Sequence, residues 1–243
     1  MALLSGLVLL CTATSVIALG GNAVSEGSGR LERHAIMVHG DKGNTCSGTV
    51  ISATMIITAA HCVTGSRRYA VSYQESGSPI VQEVQQVFRH PDYKPASAVS
   101  VDLALLRMKL PLPQRFSPVA LDDASNNADD NSVGSRQTIA GFGLSRDGAE
   151  STMGTLRLAE VTVLPRYYPR FFRLGRSGGD ILICKGDSGG PVISEGLRGP
   201  VLTGVIYASE KAAGYRQCGV NAQAVRIAPQ RRWIDSIMAK QAY

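Results

Sequence analysis

KGDSGGP, Lys185 to Pro191, surrounds one aspartate and one serine with three glycines. A serine hydroxyl is a poor nucleophile near neutral pH and needs an adjacent base, itself oriented by a third group. Glycine at 186 opens backbone angles closed to other residues, so its N–H and that of Ser188 can point at one spot. Gly189 and Gly190 would let a substrate backbone come close. Taken alone, the stretch also reads as a glycine-rich turn with an incidental serine. The rest of the chain has to decide.

Gly186 to Gly190 also satisfies G-x-S-x-G, the strand–turn–helix elbow of α/β-hydrolases. That fold needs its histidine after the serine, and His34, His39, His61 and His90 all precede Ser188. The helices that would flank its sheet are missing too. Short runs rich in Val, Ile, Thr and Tyr, broken by Gly, Pro, Ser and Asn, dominate and read as all-β. His34 and His39 flank a strand-like segment and His90 sits in the turn-like HPDY, so all three are expected to be structural or at the surface. His61 ends an apolar run and is followed by Cys62, whose disulfide would fix its backbone. Asp122, Asp123, Asp129 and Asp130 fall in a polar loop and are expected to be solvated. Asp102 differs, because DLALL carries it into an apolar strand. A carboxylate there requires a dedicated donor, and His61 would serve.

The chain has 243 residues, 44% hydrophobic and 18% charged, an ordinary globular balance with room for one large domain or two small ones. A net charge of +6 raises nucleic acid as a partner. The one dense patch, RYYPRFFRLGR (Arg166 to Arg176), reads instead as a solvated loop or short helix over packed aromatics, and no nucleic-acid partner is expected. Residues 1–18 are apolar, end on small residues and are too short for an anchor. They read as a signal peptide, although no Lys or Arg occurs before Arg30. A secreted or periplasmic location without a stable membrane anchor follows. With Cys11 inside this leader, Cys46, Cys62, Cys184 and Cys218 remain, enough for two disulfides in any of three connectivities. No CxxC spacing points to a metal.

Strand-like runs recur from Thr45 to Met108 and again from Gln137 to Ser209. A Pro-rich stretch, Leu110 to Leu121, joins the two halves. Only PQRRWIDSIMAK has helical spacing, with Pro229 suited to its first turn and Trp233, Ile234, Ile237 and Met238 on one face.

TAAHC, DLALL and GDSGGP, in the order His, Asp, Ser, resemble the trypsin/chymotrypsin family of serine endopeptidases. CSG before the histidine, HPDY, AGFG and the terminal WI extend the resemblance over most of the chain after the leader. It implies two six-stranded antiparallel β-barrels with the active site between them and a C-terminal α-helix. Residues 19–113 would carry His61 and Asp102, and residues 114–243 would carry Ser188, together forming one peptidase domain. By motif, Ser188 is the nucleophile, His61 the general base and acid, and Asp102 the orienter. The amides of Gly186 and Ser188 form the oxyanion hole. Implied disulfides are Cys46–Cys62 and Cys184–Cys218. Ala18-Leu19-Gly20-Gly21 resembles the family's mature start, whose amine pairs with the acid at Asp187. Val16 and Ala18 suit signal peptidase, which would leave Leu19 first. Six positions before Ser188, the pocket floor is Leu182, and Tyr207, Ala208 and Ser209 stand where Ser-Trp-Gly is usual, with Ser209 narrowing the pocket entrance. An apolar rather than basic P1 residue is therefore expected, unless Asp180 reaches the pocket. A monomer acting on polypeptides, restrained by a protein inhibitor and needing no metal or cofactor, completes the expectation. Two rivals are a catalytically inactive relative kept as a binding protein, and an esterase.

Overall fold

The structure, a computed structural model, describes residues 17–19, 28–97, 99–123, 131–165, 169–176 and 181–240. Its strands are β1 (Ile17–Ala18), β2 (Ala35–Gly40), β3 (Thr45–Ser52), β4 (Met55–Thr58), β5 (Tyr69–Glu75), β6 (Ser78–Arg89), β7 (Ala104–Met108) and β8 (Ala120–Leu121). They continue as β9 (Arg136–Gly141), β10 (Arg157–Leu164), β11 (Phe171–Gly175), β12 (Ile181–Cys184), β13 (Pro191–Gly196), β14 (Gly199–Glu210) and β15 (Cys218–Arg226). One helix, α1 (Arg231–Lys240), follows a short turn holding Pro229.

Strands β2-β3-β4-β7-β6-β5 close into one antiparallel barrel. Strands β15, β11, β10, β9, β13 and β14 close a second, with β14 pairing back to β15. Two parallel additions extend it, β1 on β12 and β8 on β14. This is the expected all-β architecture.

Continuous apolar runs reflect burial on both strand faces. In β4 and β7, Ile56, Ala104, Leu106 and Met108 fill the first barrel's core with Ile36, Val38 and Val50. The alternate residues Met55, Ile57 and Leu105, with Leu103, face the other way, onto Ile193, Leu202, Val205 and Val225 of the second barrel. A second core gathers Ile139, Val161, Phe172, Leu174, Ile183 and Ile206. The helix docks through Ile234, with Trp233, Ile237 and Met238 packed on the same cluster. The Trp233 ring stands edge-on to His90 at 4.8 Å.

Three local expectations are corrected. The aromatic half of the basic patch is strand β11, with Phe171 and Phe172 buried, because the second barrel needs a strand between β10 and β15. Asp122 is buried rather than solvated, and its carboxylate accepts from Asn131 Nδ2 at 2.9 Å. Asp102 lies just ahead of β7 instead of within it, and both its oxygens reach His61. Asp129, Asp130, Asp180, Gly20, Gly21 and residues 1–16 lie outside the described residues.

Candidate active site

His61 occupies a short 3₁₀ turn, Ala60–Val63, at the end of β4. Cys62 within that turn is bonded to Cys46 of β3, so the turn is pinned to the barrel wall. Asp102 is 8% exposed and grips His61 twice. Its Oδ1 accepts the His61 backbone N–H at 2.9 Å, and its Oδ2 lies 2.7 Å from Nδ1. The first contact fixes the turn and the second fixes the ring, with Nδ1 as donor and Nε2 left to face the cleft. That is the geometry of an oriented base.

The Ser188 segment reaches the same place from the second barrel. Cys62 Sγ lies 3.6 Å from His61 Nε2 and 3.7 Å from the Ser188 carbonyl oxygen. The Ser188 carbonyl accepts Ser47 N–H at 2.8 Å. No hydrogen bond joins Ser188 Oγ to His61 Nε2 among the described residues, and such bonds commonly tighten only with substrate present. Cys46, His61 and Cys62 offer atoms within 4.8 Å of one another. Both sulfurs belong to one disulfide, so neither is a thiolate ligand.

Gly186 has φ +101°, a conformation costly for any residue with a Cβ. Asp187 N–H, Gly189 N–H and Gly190 N–H donate to Cys184, Ile206 and Asp187 carbonyls. Those of Gly186 and Ser188 have no acceptor among the described residues. Gly189 and Gly190 also make room within the protein. A Cβ on Gly189 would strike Ser47 O and Thr58 Oγ1 of the first barrel, and one on Gly190 would strike Ala140 O. Gly189 thus lets the two barrels touch, and Gly190 lets the turn pack on β9 within the second barrel.

Asp187 is 1% exposed, and Gly143 N–H and Cys184 N–H donate to its carboxylate at 2.9 and 2.8 Å. Gly141 and Gly143 of AGFG provide the space, since a Cβ on either would meet this carboxylate. Burial pushes the Asp187 carboxyl up to about 7 against the pull of those amides. Nearby, Leu19 is 1% exposed, and its N–H donates to Leu182 O at 3.2 Å.

Leu182 is buried with Leu144, Cys184 and Cys218, and Cys184 is bonded to Cys218. Ser209 pairs with Ala222, and its Oγ abuts the place a Cβ on Gly219 would take. Tyr207 sits at a bulge in β14, its ring 5.8 Å from Phe171 and its hydroxyl donating to Gln223 Oε1 at 3.1 Å. Burial, then the charge of Asp102, pushes the Tyr207 hydroxyl up. A separate cavity of about 310 Å³, lined by Met37, Tyr73, Arg115, Phe116 and Phe142, holds none of these groups.

Sequence reading quoted Ser47 within CSG but gave it no role. Its hydroxyl donates to Gly186 O at 2.8 Å and accepts Phe142 N–H at 2.9 Å. Its only sequence signal is its place beside Cys46.

Two antiparallel barrels meeting over an oriented histidine and a glycine-flanked serine form the framework of a serine-type endopeptidase. The trypsin family profile matches residues 19–234, and the chain belongs to that family. It is 27% identical over 215 residues to granzyme M of Homo sapiens, covering 81% of this chain and 80% of that protein. It is 28% identical over 243 residues to transmembrane protease serine 11E of Mus musculus, covering 92% of this chain. The chain spans only 55% of that second relative's length. No helix among the described residues is long and apolar enough to cross a membrane.

Proposed function

We propose that this serine endopeptidase cleaves polypeptides through an acyl-enzyme, with Ser188 as nucleophile, His61 as base and then acid, and Asp102 as its orienter. The observation that carries the reading is the double grip of Asp102 on His61, at 2.9 and 2.7 Å. His61 takes the Ser188 proton as Oγ attacks the scissile carbonyl. It returns that proton to the departing amine, and water repeats the cycle to release the acid. The open amides of Gly186 and Ser188 receive the tetrahedral oxyanion. Residues 19–113 and 114–243 act as two halves of one peptidase domain.

Export and maturation are one event in this reading. Cleavage after Ala18 frees an amine at Leu19, beside the pocket-floor strand and close to the segment that holds Asp187. A carboxylate so deeply buried gains from a cation, which supports Asp187 as the partner of the new amine. Apolar Leu182 supports a preference for small or medium apolar P1 residues. The enzyme works as a secreted monomer, open to a protein inhibitor.

A fluorophosphonate probe applied to the secreted protein, beside assays on casein and a small ester, tests the reading. Labelling that maps to Ser188 and cleavage of casein are expected. No labelling would leave an inactive binding protein, and ester hydrolysis without casein cleavage an esterase.

A further inference from the structure

The loop joining β9 to β10 crosses to the rim of the second barrel, where Asp147 meets three successive backbone amides. Its Oδ1 accepts Gln217 N–H at 2.6 Å, Cys218 N–H at 2.9 Å and Arg216 N–H at 3.1 Å, and its Oδ2 also faces Arg216 N at 3.1 Å. Consecutive N–H groups converging on one carboxylate make a small anion cradle. The amides of Gln217 and Arg216 hold the Asp147 carboxyl below the usual aspartate range.

Gln217 carries the bracing further. Its carbonyl accepts Lys185 N–H at 2.7 Å, and Lys185 O accepts Leu144 N–H at 3.0 Å. Its side chain donates to Glu150 Oε1 at 2.6 Å and accepts Gly148 N–H at 3.2 Å. Lys185 Nζ reaches the same Glu150 oxygen at 3.2 Å. Three segments are thus closed into a ring: the 144–150 loop, the strand end leading into Gly186, and the 216–218 rim. The rim is bonded through Cys218 to Cys184, and Gly219 just beyond it lies against Ser209 and Glu210.

We infer that Asp147 is a positioning residue for substrate selection: it holds rim residues 216–218 in the register that shapes the entrance to the P1 pocket. This rests on the peptidase reading and on the placement of that pocket at Leu182 and Ser209. Asp147 touches no reacting atom. It is only half-buried, so water replaces the lost acceptor when it is removed. The barrel then survives, while the rim samples other positions and substrate meets an entrance that must be ordered anew.

The test compares the full-length secreted protein with Asp147→Ala and Asp147→Asn, which keeps one oxygen acceptor. Labelling by the fluorophosphonate fixes the number of active sites first. Asp147→Ala is expected to raise KM for a peptide substrate about tenfold with kcat within about twofold. Amide exchange at residues 216–218 should quicken about tenfold in the same variant. Asp147→Asn should fall between it and the wild type on both measures. An unchanged KM in Asp147→Ala, a fall confined to kcat, or an Asn variant as impaired as Ala would overturn the inference. If the wild-type chain were not labelled, the peptidase reading would fall instead, and amide exchange would still decide whether Asp147 orders the rim.

Discussion

The Ser47 hydroxyl in the first barrel donates to the Gly186 carbonyl in the second at 2.8 Å. Through this bond the barrel carrying His61 sets the peptide plane beside the open Gly186 amide. Ser47→Ala leaves the half-buried Phe142 N–H without its acceptor as well and should cost about 1–3 kcal/mol of stability. If the Gly186 amide forms the oxyanion site as proposed, turnover should fall with little change in KM. Urea unfolding together with steady-state kinetics checks both; a loss of stability with kcat untouched would mean that Ser47 only braces the barrels.

If Ser188, His61 and Asp102 work as one unit, removing Ser188 or His61 alone should lower turnover by about 10⁴–10⁶. The double variant should lose little more than either. Effects that multiply would show that the two residues act independently.

Asp187 makes stability depend on pH. Its carboxyl stands near 7 in the folded chain against 3.8 when free. Between those values the folded state holds the extra proton, so stability declines as pH rises through that window and stays lower above it. The uncut chain should therefore have a lower urea midpoint at about pH 8 than at about pH 5. A chain starting at Leu19 supplies an ammonium group, and the slope should flatten or reverse. Equal slopes in the two forms would remove Asp187 as the amine's partner.

If Leu182, buried against Leu144 and the Cys184–Cys218 disulfide, forms the pocket floor as proposed, it brings no charge there. An arginine side chain entering it would lose hydration without an ion-pair partner. Among matched peptides ending in Ala, Leu, Phe and Arg, the Arg peptide should show the lowest kcat/KM. A preference for Arg that disappears in Asp180→Asn would move the floor to Asp180.

Cys184–Cys218 closes a loop with a sequence separation of 34. Replacing both cysteines with alanine should cost roughly 3 kcal/mol by loop entropy. If the pocket lies where proposed, discrimination among P1 residues should weaken as well, since the bridge ties Cys218 to the strand of Leu182. Thermal unfolding and the same peptide set measure the two effects separately.

What could be read from sequence was whatever depends on near neighbours. Strand-like runs between Thr45 and Met108 marked the first barrel, and an acid against an apolar run implied a donor, which pointed from Asp102 to His61. Strand β15 escaped notice because CGVNAQAVR is full of poor strand formers. It is extended because β11, β12 and β14 all pair with it. Ser47 and Asp147 escaped for another reason: their partners lie 139 and 71 residues away. Nothing local marks a side chain whose acceptor or donor is supplied by a distant stretch of the chain.

Strand β1 sits near the start of the chain, yet pairs Ile17 with Ile181. The first barrel is contiguous, Ala35 to Met108, and can close while the remainder is still being synthesised. Leu19 cannot dock so early, because its socket includes Ile139, Phe172, Ile183 and Ile206. A stalled or truncated chain would hold the His61–Asp102 pair but lack the Gly186 and Ser188 amides and the serine itself. If Ser188 and those amides carry the chemistry, as proposed, the order of synthesis would delay cutting power until the last strands have left the ribosome.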